Sequence, residues 1–123
     1  MFKKHILVIE DDADIREVLT TILTEEGYEV TTREEANDVV KEVLDIGPDL
    51  IITDYILQGI NGGEYCSAIK KDERTAHLPV IILSGFGKVL HSLGDYQADL
   101  IIDKPFDNSD LLQEVAKLMG SGT

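Results

Sequence analysis

At 123 residues the chain is expected to form one domain with a full core, and 43% apolar residues is ordinary for a globular protein. Its 24 acids against 11 bases give a formal charge of −13, which repels nucleic acid and anionic membranes and argues against DNA binding by this chain alone. The one cysteine, Cys66, excludes an internal disulfide and reads as a small buried apolar residue. No apolar run approaches the length of a membrane span, and Met1-Phe2-Lys3-Lys4 leads too soon into acids for a signal peptide, so a reducing cytoplasm is expected.

In chain order, Ile6-Leu7-Val8-Ile9 is a continuous apolar run ending in Glu10-Asp11-Asp12. Ile15, Val18, Leu19, Ile22 and Leu23 follow at the spacing of one helical face, and Gly27 is placed to end that helix. Tyr28 to Thr32 reads as a short edge strand with partial alternation. Ala36, Val39, Val40, Val43 and Leu44 repeat the helical spacing until Gly47-Pro48 stops it. Leu50 to Thr53 is a second apolar run, ending in Asp54, and the loop 58–63 precedes a shorter helix around Glu64 to Lys71. Val80 to Leu83 runs into Ser84, and the weakly patterned stretch from Gly85 to Leu93 is expected as a further helix. Leu100-Ile101-Ile102 leads to Asp103-Lys104-Pro105-Phe106. Asp107 to Asp110 supplies caps for a last helix with Leu111, Leu112, Val115, Leu118 and Met119 inward.

Apolar runs without alternation indicate strands buried on both faces, hence a parallel sheet covered by helices. Five strands alternating with five helices, joined by right-handed crossovers, predict a three-layer α/β sandwich with sheet order 2-1-3-4-5. Ligands of such sheets bind beyond the carboxyl ends of the strands. Glu10, Asp11, Asp54, Ser84 and Lys104 all fall there.

Three carboxylates in one pocket repel one another and raise each other's pKa, so the cluster calls for a cation. All-oxygen ligands in an open site suit Mg²⁺ better than Ca²⁺. With the ion and Lys104, three negative charges meet three positive ones, leaving room for an anion on or beside Asp54. A carboxylate can attack phosphorus to form an aspartyl phosphate, and phosphoryl transfer needs little beyond in-line positioning and neutralised equatorial oxygens. The metal, Lys104 and the Ser84 hydroxyl can each take one oxygen, and Gly85 leaves a donor room to approach. The added charge can then draw two loops inward, which makes the reaction a switch. Singly, each feature has a plainer explanation: Asp12 and Asp14 as helix caps, Ser84 as a cap, Lys-Pro as a turn. The three histidines, His5, His77 and His91, share no ligand spacing and are read as incidental.

The acidic pair Glu10-Asp11, Asp54 thirty positions before Ser84, and Lys104-Pro105-Phe106 together resemble the receiver domain of bacterial two-component response regulators, over essentially the whole chain. The resemblance implies a flavodoxin-like, chemotaxis-regulator-like fold over residues 1–119, with 120–123 a linker stub or tail. It implies Asp54 as phosphoacceptor in a phosphorelay, with the phosphohistidine of a sensor histidine kinase or phosphotransfer protein as donor. It further implies Mg²⁺ held by Asp11, Asp54 and the Ile56 backbone carbonyl, with Glu10 acting through water, and a cis Lys104–Pro105 bond. Downstream effectors and a phosphorylation-dependent dimer around Gly87 to Asp99 and the last helix follow from the same resemblance. Such a domain catalyses its own phosphorylation and dephosphorylation without being a conventional turnover enzyme. Two positions depart from the pattern: Ile101 stands where Tyr or Phe is usual, and Gln58 where proline is common. The usual coupled movement of hydroxyl and aromatic ring is therefore not expected in its standard form. Ile56 and Phe86 flank the site and are expected to shield the acyl phosphate from water.

Two other functions compete. A receiver-shaped scaffold that binds partners without phosphorylation would have no reason to bind Mg²⁺. A Mg²⁺-dependent phosphatase with an aspartyl intermediate would need a second acid two residues after Asp54, where Ile56 stands.

Overall fold

In the computed structural model, which describes residues 3–55, 62–85 and 98–120, five parallel strands form one sheet of order β2-β1-β3-β4-β5. The strands are β1 His5–Ile9, β2 Glu29–Arg33, β3 Leu50–Asp54, β4 Val80–Ser84 and β5 Leu100–Asp103. The described helices are α1 Ala13–Glu25, α2 Val39–Ile46, α3 Gly62–Lys71 and α4 Asn108–Leu118. The helix expected from Gly85 to Leu93 lies outside the described residues, as do Ile56, Gln58, Phe86 and His91.

Alternation along each strand divides the core between the two faces of the sheet. Leu7, Ile9, Ile51, Val80 and Ile82 pack against Val39 and Val43 of α2 and Tyr65, Cys66 and Ile69 of α3. Ile6, Val8, Leu50, Ile52, Ile81 and Leu83 pack against Leu19 and Leu23 of α1 and Leu111 and Val115 of α4. This is the three-layer arrangement expected of unalternating apolar strands, and each fully buried Leu or Ile contributes roughly 1.5–3 kcal/mol. Cys66 sits in that core as a small apolar residue. The edge strand β5 is only half-buried, since it has one neighbour in place of two.

Helix ends follow local chemistry. Asp12 caps α1 by accepting from the amides of Asp14 and Ile15, and Gly27 follows the helix at φ 95°. The second helix begins three residues later than the apolar spacing suggests. Asp38 caps it by accepting from the Lys41 amide, while the Ala36 amide donates to the Tyr65 hydroxyl, so Ala36 belongs to the preceding turn. Gly47, at φ 70°, closes the helix in the left-handed conformation. Asp107 caps α4.

The register sets the level of each functional residue. Ile9 lies opposite Thr53, so Glu10 and Asp54 leave the sheet side by side. Asp54 lies opposite Leu83, and Ser84 opposite Asp103, so Ser84 and Lys104 each come one step further along.

Candidate functional site

The carboxyl end of β1 turns directly into α1, and this tight connection holds Glu10 almost fully buried at 1% exposure. Its Oε1 accepts from the Asp12 amide at 3.1 Å, while its buried Oε2 has no hydrogen-bond partner among the described residues. Asp11 is exposed, and Asp54 is buried at the end of the central strand β3. Carboxylate oxygens of Glu10, Asp11 and Asp54 all lie within 4.8 Å of one another.

Lys104, from the end of β5, reaches across to this cluster. Its Nζ is 2.6 Å from Asp54 Oδ1 and 3.6 Å from Glu10 Oε2. The Lys104 amide also donates to the Ser84 carbonyl at 2.8 Å, which ties the lysine to the end of β4. The Lys104–Pro105 peptide is cis, as the sequence resemblance implies. Ser84 is buried at the same end of the sheet. Ile101, at the position where an aromatic residue is usual, is half-buried against the core and supplies no ring.

One ammonium group does not neutralise three carboxylates, and the ionisation of the cluster reflects this. Burial, then the charge of Asp54, push Glu10 up to about 7, against weaker opposition from the Asp12 amide and Lys104. Burial also raises Asp54 above the ordinary aspartate range, with Asp11 adding to the rise and Lys104 partly offsetting it. For Lys104, burial disfavours the charge, but the hydrogen bond and charge of Asp54, with Glu10 behind it, outweigh that and raise its pKa.

The site fits a hard divalent cation. Its donors are all oxygen, the three acids converge within coordinating reach, and a buried carboxylate oxygen has no hydrogen-bond partner among the described residues. The predicted ligand at the Ile56 carbonyl lies outside the described residues.

Arg16 is the residue that periodicity did not bring out, because α1 was read by its apolar face alone. Its Nη1 donates to the Glu10 carbonyl at 2.8 Å, and its Nη2 lies 3.5 Å from Glu34 Oε1. Its position six residues after Glu10, one turn into the helix, is the only signal the sequence offers.

The family model of the response regulator receiver domain matches residues 6–116. The chain belongs to this family. As a receiver domain it is 34% identical to the phosphate regulon transcriptional regulatory protein PhoB of Pseudomonas aeruginosa, over 99% of this chain and 56% of that protein. It is also 34% identical to the response regulator ArlR of Staphylococcus aureus, over 94% of this chain and 52% of the relative. The receiver domain thus spans about half the length of the curated relatives it matches. Among solved structures, the response regulator TrrA of Thermotoga maritima, in complex with Mg(2+)-BeF, superposes with TM-score 0.83 at 34% identity, covering 94% of this chain and 98% of that one. A CheY-like receiver domain protein from Methanospirillum hungatei superposes with TM-score 0.84 at 26% identity, covering 98% and 96%.

Receiver domains of response regulators belong to two-component systems, and the Glu10, Asp11 and Asp54 pocket fits the phosphoacceptor site of the family. Such domains generally bind Mg²⁺ at their acidic site and interact with histidine kinases and effectors. No helix among the described residues is long and apolar enough to cross a membrane.

Proposed function

We propose that Asp54 is the phosphoacceptor of a phosphorylation switch, with Glu10 and Asp11 as its acidic partners and Ser84 and Lys104 as its anion-binding groups. The observation that carries this reading is the cluster itself: three carboxylates within 4.8 Å of one another, with Lys104 Nζ 2.6 Å from Asp54 Oδ1. A phosphohistidine of a sensor kinase or phosphotransfer protein is the donor. The Asp54 carboxylate attacks phosphorus, the P–N bond breaks, and the imidazole nitrogen keeps the electron pair. Asp11, Asp54 and the Ile56 carbonyl would hold Mg²⁺, with Glu10 acting through water, and the bound ion would supply neutralisation of the phosphoryl oxygens. Lys104, already paired with Asp54, follows the negative charge onto a phosphoryl oxygen, and the Ser84 hydroxyl donates to another. Since Lys104 and Ser84 lie at the ends of adjacent strands, their shared pull on the new group would couple the ends of β4 and β5.

The same reading takes the domain as residues 1–119, in a cytoplasmic protein that catalyses its own phosphorylation and dephosphorylation. Effector contact, and a phosphorylation-dependent dimer through the surface from Gly87 to Asp99 and the last helix, would carry the signal onward. The complex of the Thermotoga relative with Mg(2+)-BeF supports the choice of ion.

Intact mass after incubation with Mg²⁺ and a small-molecule phosphodonor tests the proposal. The wild type is expected to gain one phosphoryl group only when Mg²⁺ is present, and Asp54→Ala to gain none. No gain, together with no Mg²⁺ binding, would leave a phosphorylation-independent scaffold as the better reading.

A further inference from the structure

We infer that Arg16 is a positioning residue of the acidic site, which sets the direction of the Asp11 carboxylate by gripping the peptide group between Glu10 and Asp11. This rests on the functional reading above and extends it to a residue outside the cluster.

A peptide group is planar, so the Glu10 carbonyl oxygen and the Asp11 Cα lie in one rigid plane. Arg16 Nη1 holds that oxygen at 2.8 Å. On the other side of Glu10, its amide donates to the Arg33 carbonyl at 2.9 Å. Both peptide planes flanking Glu10 are thus pinned, one by α1 and one by the end of β2. The Glu10 side chain is fixed in turn by the Asp12 amide.

Asp11 differs from the other two acids. It is exposed, and its carboxylate receives no hydrogen bond from a described residue, whereas Asp54 is held by Lys104 and Glu10 by Asp12. Its orientation therefore depends on its backbone, and the Arg16 bond is what fixes the leading half of that backbone. The base of the side chain is fixed in the first turn of α1, where the Arg16 amide bonds the Asp12 carbonyl at 3.0 Å, and the side chain itself is only 19% exposed. Glu34, at 3.5 Å and 75% exposed, adds a weak second anchor from the β2–α2 connection.

The sign of the effect separates positioning from simple electrostatics. Removing a positive charge beside three carboxylates should by Coulomb's law tighten binding of a cation. Losing the grip on the peptide plane should weaken it, because Asp11 must then be ordered at the moment of binding.

Arg16→Met keeps the aliphatic stem and the helix propensity while removing every donor, and Arg16→Lys keeps a donor of similar reach. Mg²⁺ affinity is measured by calorimetric titration, and phosphorylation rate by intact mass across Mg²⁺ concentrations. The expected result is about tenfold weaker Mg²⁺ binding for Arg16→Met, with Arg16→Lys recovered to within about threefold of wild type. Raising Mg²⁺ above the new half-saturation point should restore the Arg16→Met phosphorylation rate. Unchanged or tighter Mg²⁺ binding in Arg16→Met, with or without a lower unfolding temperature, would overturn the inference and leave a purely structural arginine. A wild type that neither binds Mg²⁺ nor gains a phosphoryl group would instead remove the functional reading beneath it.

Discussion

Glu10 is a carboxylate under electrostatic stress, pushed up to about 7 by its surroundings. Burial and the neighbouring Asp54 disfavour its charged form relative to that of an exposed glutamate, and Lys104, 3.6 Å from Oε2, offsets this only in part. Glu10→Gln removes that charge at nearly constant shape. In metal-free buffer at pH 8 the variant is expected to be more stable than wild type by about 1–3 kcal/mol, measured by urea unfolding. It should also bind Mg²⁺ more weakly, since the pocket loses a negative charge. A variant less stable than wild type under those conditions would show that the carboxylate is compensated by groups other than those described. At the same scale, Ile56→Asn is expected to speed loss of the phosphoryl group from Asp54 by exposing the acyl phosphate to water. The decay of the phosphorylated mass after donor removal checks this, and an unchanged rate sinks the shielding role.

Among the elements, α1 shows what periodicity can and cannot assign. Ile15, Val18, Leu19, Ile22 and Leu23 all fit one apolar stripe, yet only Leu19 and Leu23 are fully buried. Val18 is 45% exposed because it stands at the border of the stripe, where it lines a cavity of about 430 Å³ with Ile15, Pro105 and Phe106. In the same way Leu44 is 41% exposed at the end of α2. The stripe marks the face of a helix, but its contact with the sheet is narrower than the face. Leu19→Ala is accordingly expected to cost about 2–5 kcal/mol, and Val18→Ala less than about 1 kcal/mol, as denaturant midpoints will report. Similar losses at both positions would mean that the cavity beside Val18 closes in solution.

For the whole molecule, the pH dependence of stability follows from the direction of the shifts. Glu10 rises from 4.5 to about 7 on folding, so between those values the folded state binds more proton than the unfolded chain. Stability of the metal-free protein should therefore fall as pH rises through that window, by about 2–3 kcal/mol from Glu10. Asp54, also raised, acts in the same direction. Lys104 is raised too, but its effect belongs above the ordinary lysine range, and Asp72, held near 2 by Arg74, acts only at strongly acid pH. Saturating Mg²⁺ should abolish the decline, because the ion favours the ionised acids. Unfolding midpoints from pH 5 to pH 8, with and without Mg²⁺, provide the measurement, and a flat metal-free profile would contradict the assigned shift.

The sheet and its site were legible in the chain for a common reason. A strand buried on both faces must be apolar throughout, so the first polar residue after each run marks where the chain leaves the core. Glu10, Asp54 and Ser84 announce themselves in this way, and Lys104 follows one residue after the last run. The caps were partly legible. Asp107 and Gly27 stand where the apolar spacing breaks, whereas the start of α2 at Val39 depends on Tyr65 holding the Ala36 amide across the α2–α3 layer. Tertiary structure alone decided the direct contact of Lys104 with Asp54, the Glu10 oxygen left without a hydrogen bond among the described residues and the bond from Arg16 to the Glu10 carbonyl. Apolar pattern encodes which side of an element meets the core, because burial is a property of the element and its period. Distances between polar groups on different elements depend on strand register and rotamer, and those arise only when the layers pack.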